Sequence, residues 1–406
     1  MKYNYKKDAL KSLSVGPFLG EVKNRNKKIE EASNEMPVSE FNVNILAKKL
    51  HPGVQHTIIS KVVDHGSAKS FVLVPDKEKG TDSLAYFRAG QYVSVKLNIQ
   101  GAILAKPYSI RSNPKDALGE ENTSYTLTIK KNAVGYASEY ILNNWKEGNR
   151  VVLSGPLGEF YYERLRDAKT VIGLAGGSGI TPFYSMASAI ADGIEDMNLT
   201  ILYGSRTSDS ILLKDELDAV AAKSNGKVNV VYVLSDEISE GYENGLLTSE
   251  LIKKYAPEGD YSVFMCGPKG MYNFEDAELA KLSLKRRRIR KELFGEYGEP
   301  NQDANYPLGT QVETYKLRVI VRNEEYNIEC KSNETILVAM EQAGIHAPSH
   351  CRSGECGWCH SKLNSGNVFV PETVDGRRLA DKKFGWIHPC CSYPLSDIVL
   401  EVPPAK

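Results

Sequence analysis

No stretch of the sequence approaches the ~20 consecutive apolar residues of a membrane-spanning helix. The start, M-K-Y-N-Y-K-K-D, has no apolar segment behind it that would make a secretory leader. Net charge is missing too. Lys and Arg number 51 and Asp and Glu number 51, which removes the overall electrostatic signature of a nucleic-acid binder. Cysteine is scarce, seven in 406 residues, yet five of the seven fall between 351 and 391. The remaining composition, 41% hydrophobic and 25% charged, is that of a globular chain. Its length predicts two to four domains, and the missing leader predicts a cytoplasmic protein.

The clustered cysteines read C-R-S-G-E-C-G-W-C from Cys351 to Cys359, with a further pair at Cys390-Cys391. A zinc site would show paired C-x-x-C motifs or a C-x-x-C with spaced histidines. A Rieske centre would put histidines at two ligand positions, but His350 and His360 merely adjoin cysteines. Disulfides are disfavoured in the cytosol, where clustered cysteines usually bind metal. The spacing C-x4-C-x2-C followed by a distant cysteine is that of a plant-type [2Fe–2S] centre. Gly354 and Gly357 allow the backbone to curl close to the cluster and offer N–H groups to its sulfurs. Arg352, Ser353 and Glu355 read as polar, exposed neighbours of that loop, while Trp358 is open to packing or to partner contact.

In chain order, residues 1–52 are an extension rich in Lys, Asn and Glu, with one short amphipathic helix expected over Val43–Leu50 before Pro52. From Val54 the runs H-T-I-I-S-K-V-V-D, S-F-V-L-V-P, Q-Y-V-S-V-K-L-N-I and S-Y-T-L-T-I-K alternate apolar with polar residues. They predict an antiparallel β-barrel or sandwich reaching to about Tyr162. From Ala168, β-rich runs alternate with helical ones: T-V-I-G-L-A, L-T-I-L-Y-G, V-N-V-V-Y-V-L-S and Y-S-V-F-M-C-G-P, with a helix near Leu213–Ala222. This pattern predicts an α/β doubly wound parallel sheet. The turn Gly176-Gly177-Ser178-Gly179-Ile180-Thr181-Pro182 is neither a full G-x-G-x-x-G nor a P-loop. The stretch K-L-S-L-K-R-R-R-I-R-K then carries seven basic residues in eleven, read as a helix face that is either solvated or attractive to an acidic partner. A Gly/Pro/Asn linker follows. From Tyr315 come two strands, K-L-R-V-I-V-R and E-Y-N-I-E-C, then a helix at T-I-L-V-A-M-E-Q-A-G and the cysteine loop. Cys330 reads as structural.

Three segments before Tyr162 and two after it resemble the ferredoxin–NADP reductase superfamily: Lys106-Pro107-Tyr108-Ser109-Ile110, Gly135-Tyr136-Ala137-Ser138, G-P-L-G-E-F, G-G-S-G-I-T-P and C-G-P-K-G-M. The cysteine loop and the C-C-S-Y-P tail resemble plant-type ferredoxins. The resemblance implies a multidomain chain: N-terminal extension 1–52, flavin β-barrel 53–163, nicotinamide domain 164–294, linker 295–312 and an α+β β-grasp ferredoxin domain 313–406. It implies FAD rather than FMN, held by Lys106, Pro107, Tyr108, Ser109, Ile110, Thr128, Ile129, Lys130, Gly135, Tyr136, Ala137 and Ser138. The motif departs at Lys106, where relatives carry Arg, so a bidentate fork is lost. Gly176, Gly177, Gly179, Thr181, Pro182, Cys266, Gly267, Pro268 and Met271 would surround the nicotinamide, and Gly204, Ser205, Arg206, Ser235 and Asp236 the adenosine. Ser109, Thr181 and Cys266 would be the catalytic set. Asp236 opposes a 2′-phosphate while Arg206 favours one, and the carboxylate is expected to make NADH preferred over NADPH. Counting back from Pro394 in the ferredoxin tail makes Cys390 rather than Cys391 the fourth ligand beside Cys351, Cys356 and Cys359.

The implied function is an NADH-oxidising reductase that passes electrons one at a time to a protein acceptor, an oxygenase or another metalloprotein. A nicotinamide delivers two electrons as hydride and an iron–sulfur cluster moves one, so a flavin must stand between them. The alternative is a non-catalytic redox relay or sensor subunit. Neither reading involves nucleic acid or a membrane span.

Overall fold

The computed structural model describes residues 16–32, 46, 50–119, 121–131, 136–295 and 298–404. The chain divides into a small N-terminal unit, residues 1–49, and a large one, residues 50–406. In the first, helix α1 spans Gly16–Glu31 and carries an exposed Lys27–Glu31 pair one turn apart. α1 carries no pattern that marked it in the sequence, and the helix expected over Val43–Leu50 lies largely outside the described residues.

In the large unit the first strands are β1 (Gln55–Asp64), β2 (Ala68–Pro75), β3 (Tyr92–Ile99), β4 (Ala102–Ser109), β5 (Tyr125–Lys130) and β6 (Arg150–Leu153). They form one antiparallel sheet in the order β4-β3-β6-β1-β2-β5. A single bridge between Ile110 and Leu127 brings its two edges together and curls it into a barrel. Period-two alternation turns Phe71, Leu73, Val93, Val95 and Leu127 into the interior, where each is fully buried. Burial of each such side chain is worth ~1.5–3 kcal/mol. Helix α2 (Tyr136–Asn144) covers one end. β6, only four residues long, carried too little pattern to be read from the sequence.

The middle sheet is parallel. Its strands are β7 (Thr170–Gly176), β8 (Asn198–Ser205), β9 (Val228–Leu234), β10 (Glu243–Asn244), β11 (Ser262–Cys266) and β12 (Ile289–Glu292), ordered β10-β9-β8-β7-β11-β12. Helices α3 (Ile180–Ala191), α4 (Lys214–Lys223), α5 (Ser249–Tyr255) and α6 (Lys269–Ala280) accompany it. The chain runs outward from β7 in both directions, so β7 and β11 flank the switch point, where such sheets leave a crevice beyond their carboxyl ends. The basic run is not a helix face. It forms a turn at Arg286–Arg288 and then β12. Arg288 pairs with Asp260, Arg290 with Asp167 and Lys291 with Asp276. With Lys281 on Glu278, four of its seven charges are paired within the chain.

The last sheet holds β13 (Thr314–Val321), β14 (Glu324–Lys331), β15 (Ser361–Ser365), β17 (Trp386–Ile387) and β19 (Ile398–Val402) in the order β14-β13-β19-β15-β17. A separate ribbon pairs β16 (Val368–Phe369) with β18 (Tyr393–Pro394). Helix α7 (Ile336–Gln342) packs on the sheet and α8 (Leu379–Lys383) lies on the surface. Cys330 is buried in β14 among the core residues of this sheet, as its strand position implied.

Candidate functional site

Two glycine-bearing turns meet at the carboxyl ends of β7 and β11. A Cβ on Gly179 would fall 2.0 Å from the Cys266 carbonyl oxygen, and one on Gly176 would lie 2.8 Å from Met271 Sδ and from Pro268 Cδ. Only glycine lets the backbones approach this closely. Gly176, Gly177, Gly179, Cys266, Gly267, Pro268 and Met271 are thereby one locus, although a long stretch of chain separates the two turns. Thr181 donates from Oγ1 to the Ser178 carbonyl at 3.0 Å and is buried, with Pro182 beside it in the first turn of α3. The Cys266 thiol is buried and held neutral, its pKa raised by desolvation and then by the nearby Glu292 carboxyl.

At the far end of β8, Gly204 and Ser205 run beside Val233 and Leu234. Ser205 Oγ is buried without a hydrogen-bond partner among the described residues. Arg206 and Asp236 do not act in opposition. The Arg206 Nε donates to Asp236 Oδ2 at 2.7 Å, and Ser235 Oγ donates to Asp236 Oδ1 at 2.6 Å. The carboxyl of Asp236 is held below its usual range by Ser235 and then Arg206. A 2′-phosphate at Arg206 would meet a carboxylate already bound to its Nε.

Lys106, Pro107, Tyr108 and Ser109 lie on β4, with Tyr108 opposite Val93 and Ser109 opposite Tyr92 on β3. Thr128, Ile129 and Lys130 end β5, and Ile110 joins that strand through its bridge to Leu127. Tyr136, Ala137 and Ser138 open α2, with Ala137 and Ser138 buried and Tyr136 exposed. Gly135 lies outside the described residues. A Cβ on Gly158, in the G-P-L-G-E-F turn at φ 91°, would sit 2.8 Å from the Tyr92 ring. Arg111, two residues after Ser109, escaped the sequence reading. Its guanidinium sits 4.7 Å above the Tyr184 ring, with Nε and Nη1 buried and unpartnered among the described residues. A cation held without a direct carboxylate partner suits a region that receives an anionic cofactor.

The cysteine loop offers its thiols in two pairs. Cys359 Sγ lies 3.4 Å from Cys390 Sγ, and Cys351 Sγ lies next to Cys356. Among the described residues no three metal-binding side chains converge as they would round one ion. Two pairs suit a two-iron cluster, which spreads four thiolates over two metals. The Cys351 thiol is drawn down to about 6 by Cys356 and by contacts from Ser353. Backbone N–H groups of Ser353 and Cys356 point at its sulfur at 3.4 Å. Cys391 donates from Sγ to the His388 carbonyl at 3.5 Å, and its sulfur also lies beside Cys390 and Gly354.

The expectation of an exposed loop fails at two of its three residues. Arg352 is 1% exposed and Ser353 2%. At φ 61°, Arg352 turns inward and forks onto Glu341, Nη1 to Oε1 at 2.5 Å and Nη2 to Oε2 at 2.7 Å. It also donates to the carbonyl of Ala105 on β4 at 3.3 Å. Glu355 is exposed as a residue, but crowding round its carboxyl, with the Cys351 thiol beside it, pushes it up to about 7.

Residues from the end of β12 thread between the two halves of the site. Glu292 faces Cys266 in the sheet register, and its buried carboxyl is pushed up by desolvation and then by Glu355 and Cys351. Phe294 packs edge-on against Tyr92 with centroids 5.2 Å apart. The Gly295 N–H points to the Cys351 carbonyl at 3.4 Å. Tyr92, Glu292 and Phe294 were missed in the sequence, and Arg352 was read there only as an exposed neighbour of the loop. Tyr92 sits in an ordinary strand alternation and Glu292 in a basic run, and neither pattern signals a junction.

Family models match in the same order along the chain. An oxidoreductase FAD-binding domain covers 66–162, an oxidoreductase NAD-binding domain 174–276, and a 2Fe-2S iron-sulfur cluster binding domain 319–395. The ferredoxin reductase component of 3-ketosteroid-9-alpha-monooxygenase from Mycobacterium tuberculosis is 30% identical over 357 residues, 84% of this chain and 93% of that one. The chain belongs to the ferredoxin–NADP reductase superfamily. Within it, this reductase carries a C-terminal [2Fe–2S] domain, and FAD, NADH and the cluster are its cofactors. The glycine betaine monooxygenase reductase subunit of Chromohalobacter salexigens is 26% identical over 330 residues, covering 78% of this chain and 88% of its own. The solved phthalate dioxygenase reductase shares the fold, with a TM-score of 0.61 at 22% identity over 86% of this chain and 98% of that one.

Proposed function

We propose that this reductase oxidises NADH and passes electrons through FAD and the [2Fe–2S] cluster, one at a time, to an oxygenase component or another metalloprotein. The observation that carries the reading is the junction at β12. Glu292 adjoins Cys266, Phe294 packs on the Tyr92 that faces Ser109, and Gly295 meets Cys351, so a four-residue segment touches all three loci. Bound FAD would supply the conversion between the two-electron chemistry of a nicotinamide and the one-electron chemistry of a cluster.

The chain's own part is positioning, because hydride transfer between two stacked rings needs placement rather than an acid or base. Gly176–Pro182 and Cys266–Met271 are assigned to the nicotinamide, with Thr181 and Cys266 flanking it. Lys106–Ile110, Thr128–Lys130 and Gly135–Ser138 are assigned to FAD, with Ser109 toward its reactive edge. The paired thiols of Cys351, Cys356, Cys359 and Cys390 suit the cluster, and a buried Cys391 suits packing. The domain division proposed is 53–163 for flavin, 164–294 for nicotinamide and 313–406 for the cluster. Among the described residues no helix is long and apolar enough to cross a membrane, and we propose a cytoplasmic location.

The test is a truncation after Gly295 rather than in the later linker. Tyr306 is buried, donates to the Ser332 carbonyl at 2.9 Å and packs edge-on against Phe369, so the linker belongs to the ferredoxin side. The shortened protein should keep NADH–ferricyanide turnover and lose reduction of cytochrome c. Full-rate cytochrome c reduction without the cluster domain would defeat the proposed route.

A further inference from the structure

The cysteine loop has two differently built flanks. On one, Arg352 reaches Ala105, and His350 donates or accepts at Ser94 Oγ over 3.0 Å. Trp358 lies over His350 on this flank and lines a small cleft with Lys96, Ile103 and Ala105. This flank faces the flavin barrel. On the other flank, His360 follows ligand-position Cys359 and stacks on Trp386, with centroids 4.3 Å apart and planes 8° from parallel. His360 Nε2 is 3.1 Å from Asp381 Oδ1, which fastens it to α8.

The surface that α8 presents outward is apolar and cationic. Leu379 is 86% exposed and Phe384 59%, with Lys383 lying over the Phe384 ring. The charges are layered. Asp375 and Asp381 have side chains only 9% exposed, whereas their partners Arg378 and Lys382 are 82% and 44% exposed. Arg377, 15% exposed, forks onto Asp375 from the inner side, but both carboxylates are turned inward and the Arg378 and Lys382 charges outward. The face therefore presents positive potential although its ion pairs balance on paper. Exposed apolar side chains ringed by charges of one sign mark a protein-docking surface.

We propose that this face, Leu379 and Phe384 ringed by Arg378, Lys382 and Lys383, is where the electron acceptor docks. Its occupant is an acceptor protein with an acidic rim round an apolar centre. The proposal rests on the reductase reading and adds where the electron leaves: past His360 and Trp386 rather than past the His350 and Trp358 that adjoin the barrel. Each encounter moves one electron, oxidising this protein's cluster and reducing the acceptor's ferric centre.

Native and succinylated cytochrome c make a matched pair of probes, the same haem protein with cationic and anionic surfaces. Mixed with the holoprotein at low ionic strength, succinylated cytochrome c should be joined by carbodiimide to Lys382 and Lys383, mapped by peptide mass spectrometry. The Lys382→Glu/Lys383→Glu variant should lower its second-order reduction rate about tenfold or more, an electrostatic effect that fades with added salt. The Leu379→Ser/Phe384→Ser variant should lower the rate at every salt concentration. NADH–ferricyanide turnover should be unchanged in both. Cross-links concentrated at Lys285, at the chain's own residues 1–49, or spread evenly would overturn the proposal. So would a dimer in sedimentation that Leu379→Ser/Phe384→Ser disperses, since a second copy would then cover the face. Absence of NADH–ferricyanide turnover in the unaltered protein would defeat the reductase reading itself, which separates the two failures.

Discussion

Arg352 spans from the cysteine loop to the carbonyl of Ala105, the residue before Lys106 on the flavin strand, while its guanidinium forks onto Glu341. One buried side chain thus ties the ferredoxin helix, the cysteine loop and the barrel together. The pair is nearly sealed from water, with side chains 0% and 3% exposed. Burying two charges costs desolvation that only close, bidentate geometry offsets.

Removing one member should therefore be costly. Arg352→Ala leaves the Glu341 carboxylate buried without its fork and is expected to destabilise the protein by ~3–5 kcal/mol. Urea unfolding followed by the visible absorbance of the cluster checks this. A loss near that of an exposed ion pair, under ~1 kcal/mol, would show that the pair does not hold the domains.

Cys390→Ser should abolish or cripple the [2Fe–2S] absorption and electron paramagnetic resonance signals. Cys391→Ala should leave both, because Cys390 is the one that pairs with Cys359 while the Cys391 thiol donates to the His388 carbonyl. Iron content per chain gives an independent reading. The reverse pattern would exchange the two roles.

Asp236→Ser should release Arg206 for a 2′-phosphate and remove a like charge. NADPH kcat/KM is expected to rise about tenfold, equivalent to ~1.4 kcal/mol. Arg206→Ala in the same background should erase the gain. Unchanged NADPH use in Asp236→Ser would place the adenosine elsewhere.

Glu275 on α6 is buried, with one carboxyl oxygen unpartnered among the described residues. Burial, and then Glu278 and Asp276, raises it from 4.5 to about 8. Below pH ~4.5 it is protonated in folded and unfolded chains alike and does not affect their balance. Between there and pH ~8 the unfolded chain ionises while the fold keeps its proton, so stability falls as pH rises, then levels off. Glu275→Gln should thus raise the melting temperature at pH 8 and leave it nearly unchanged at pH 4. Equal shifts at both would mean that packing, not ionisation, is responsible.

Chemistry that a short segment supplies by itself was legible. Three thiols within nine residues, with Gly354 at φ 83° and Gly357 at φ 68°, specify their loop with little help from the rest of the chain. The same holds for the long strands, where alternation alone separates core from solvent. The two glycine turns could be read because close backbone contact admits one residue type and leaves that mark in the sequence.

What remained hidden involves partners far apart in the chain. Arg206 and Asp236 looked like opposing votes on the nucleotide until the adjacency of β8 and β9 made them a pair. Arg352 reads as a polar loop residue, because the acceptors that draw it inward stand on α7 and on β4. The basic run reads as a solvated helix, because Asp260, Asp167 and Asp276 reach it from separate elements. A side chain's composition and local period state what it can bond to. Which of those bonds forms depends on what long-range packing carries within about 3 Å of it, and only the assembled sheets decide that.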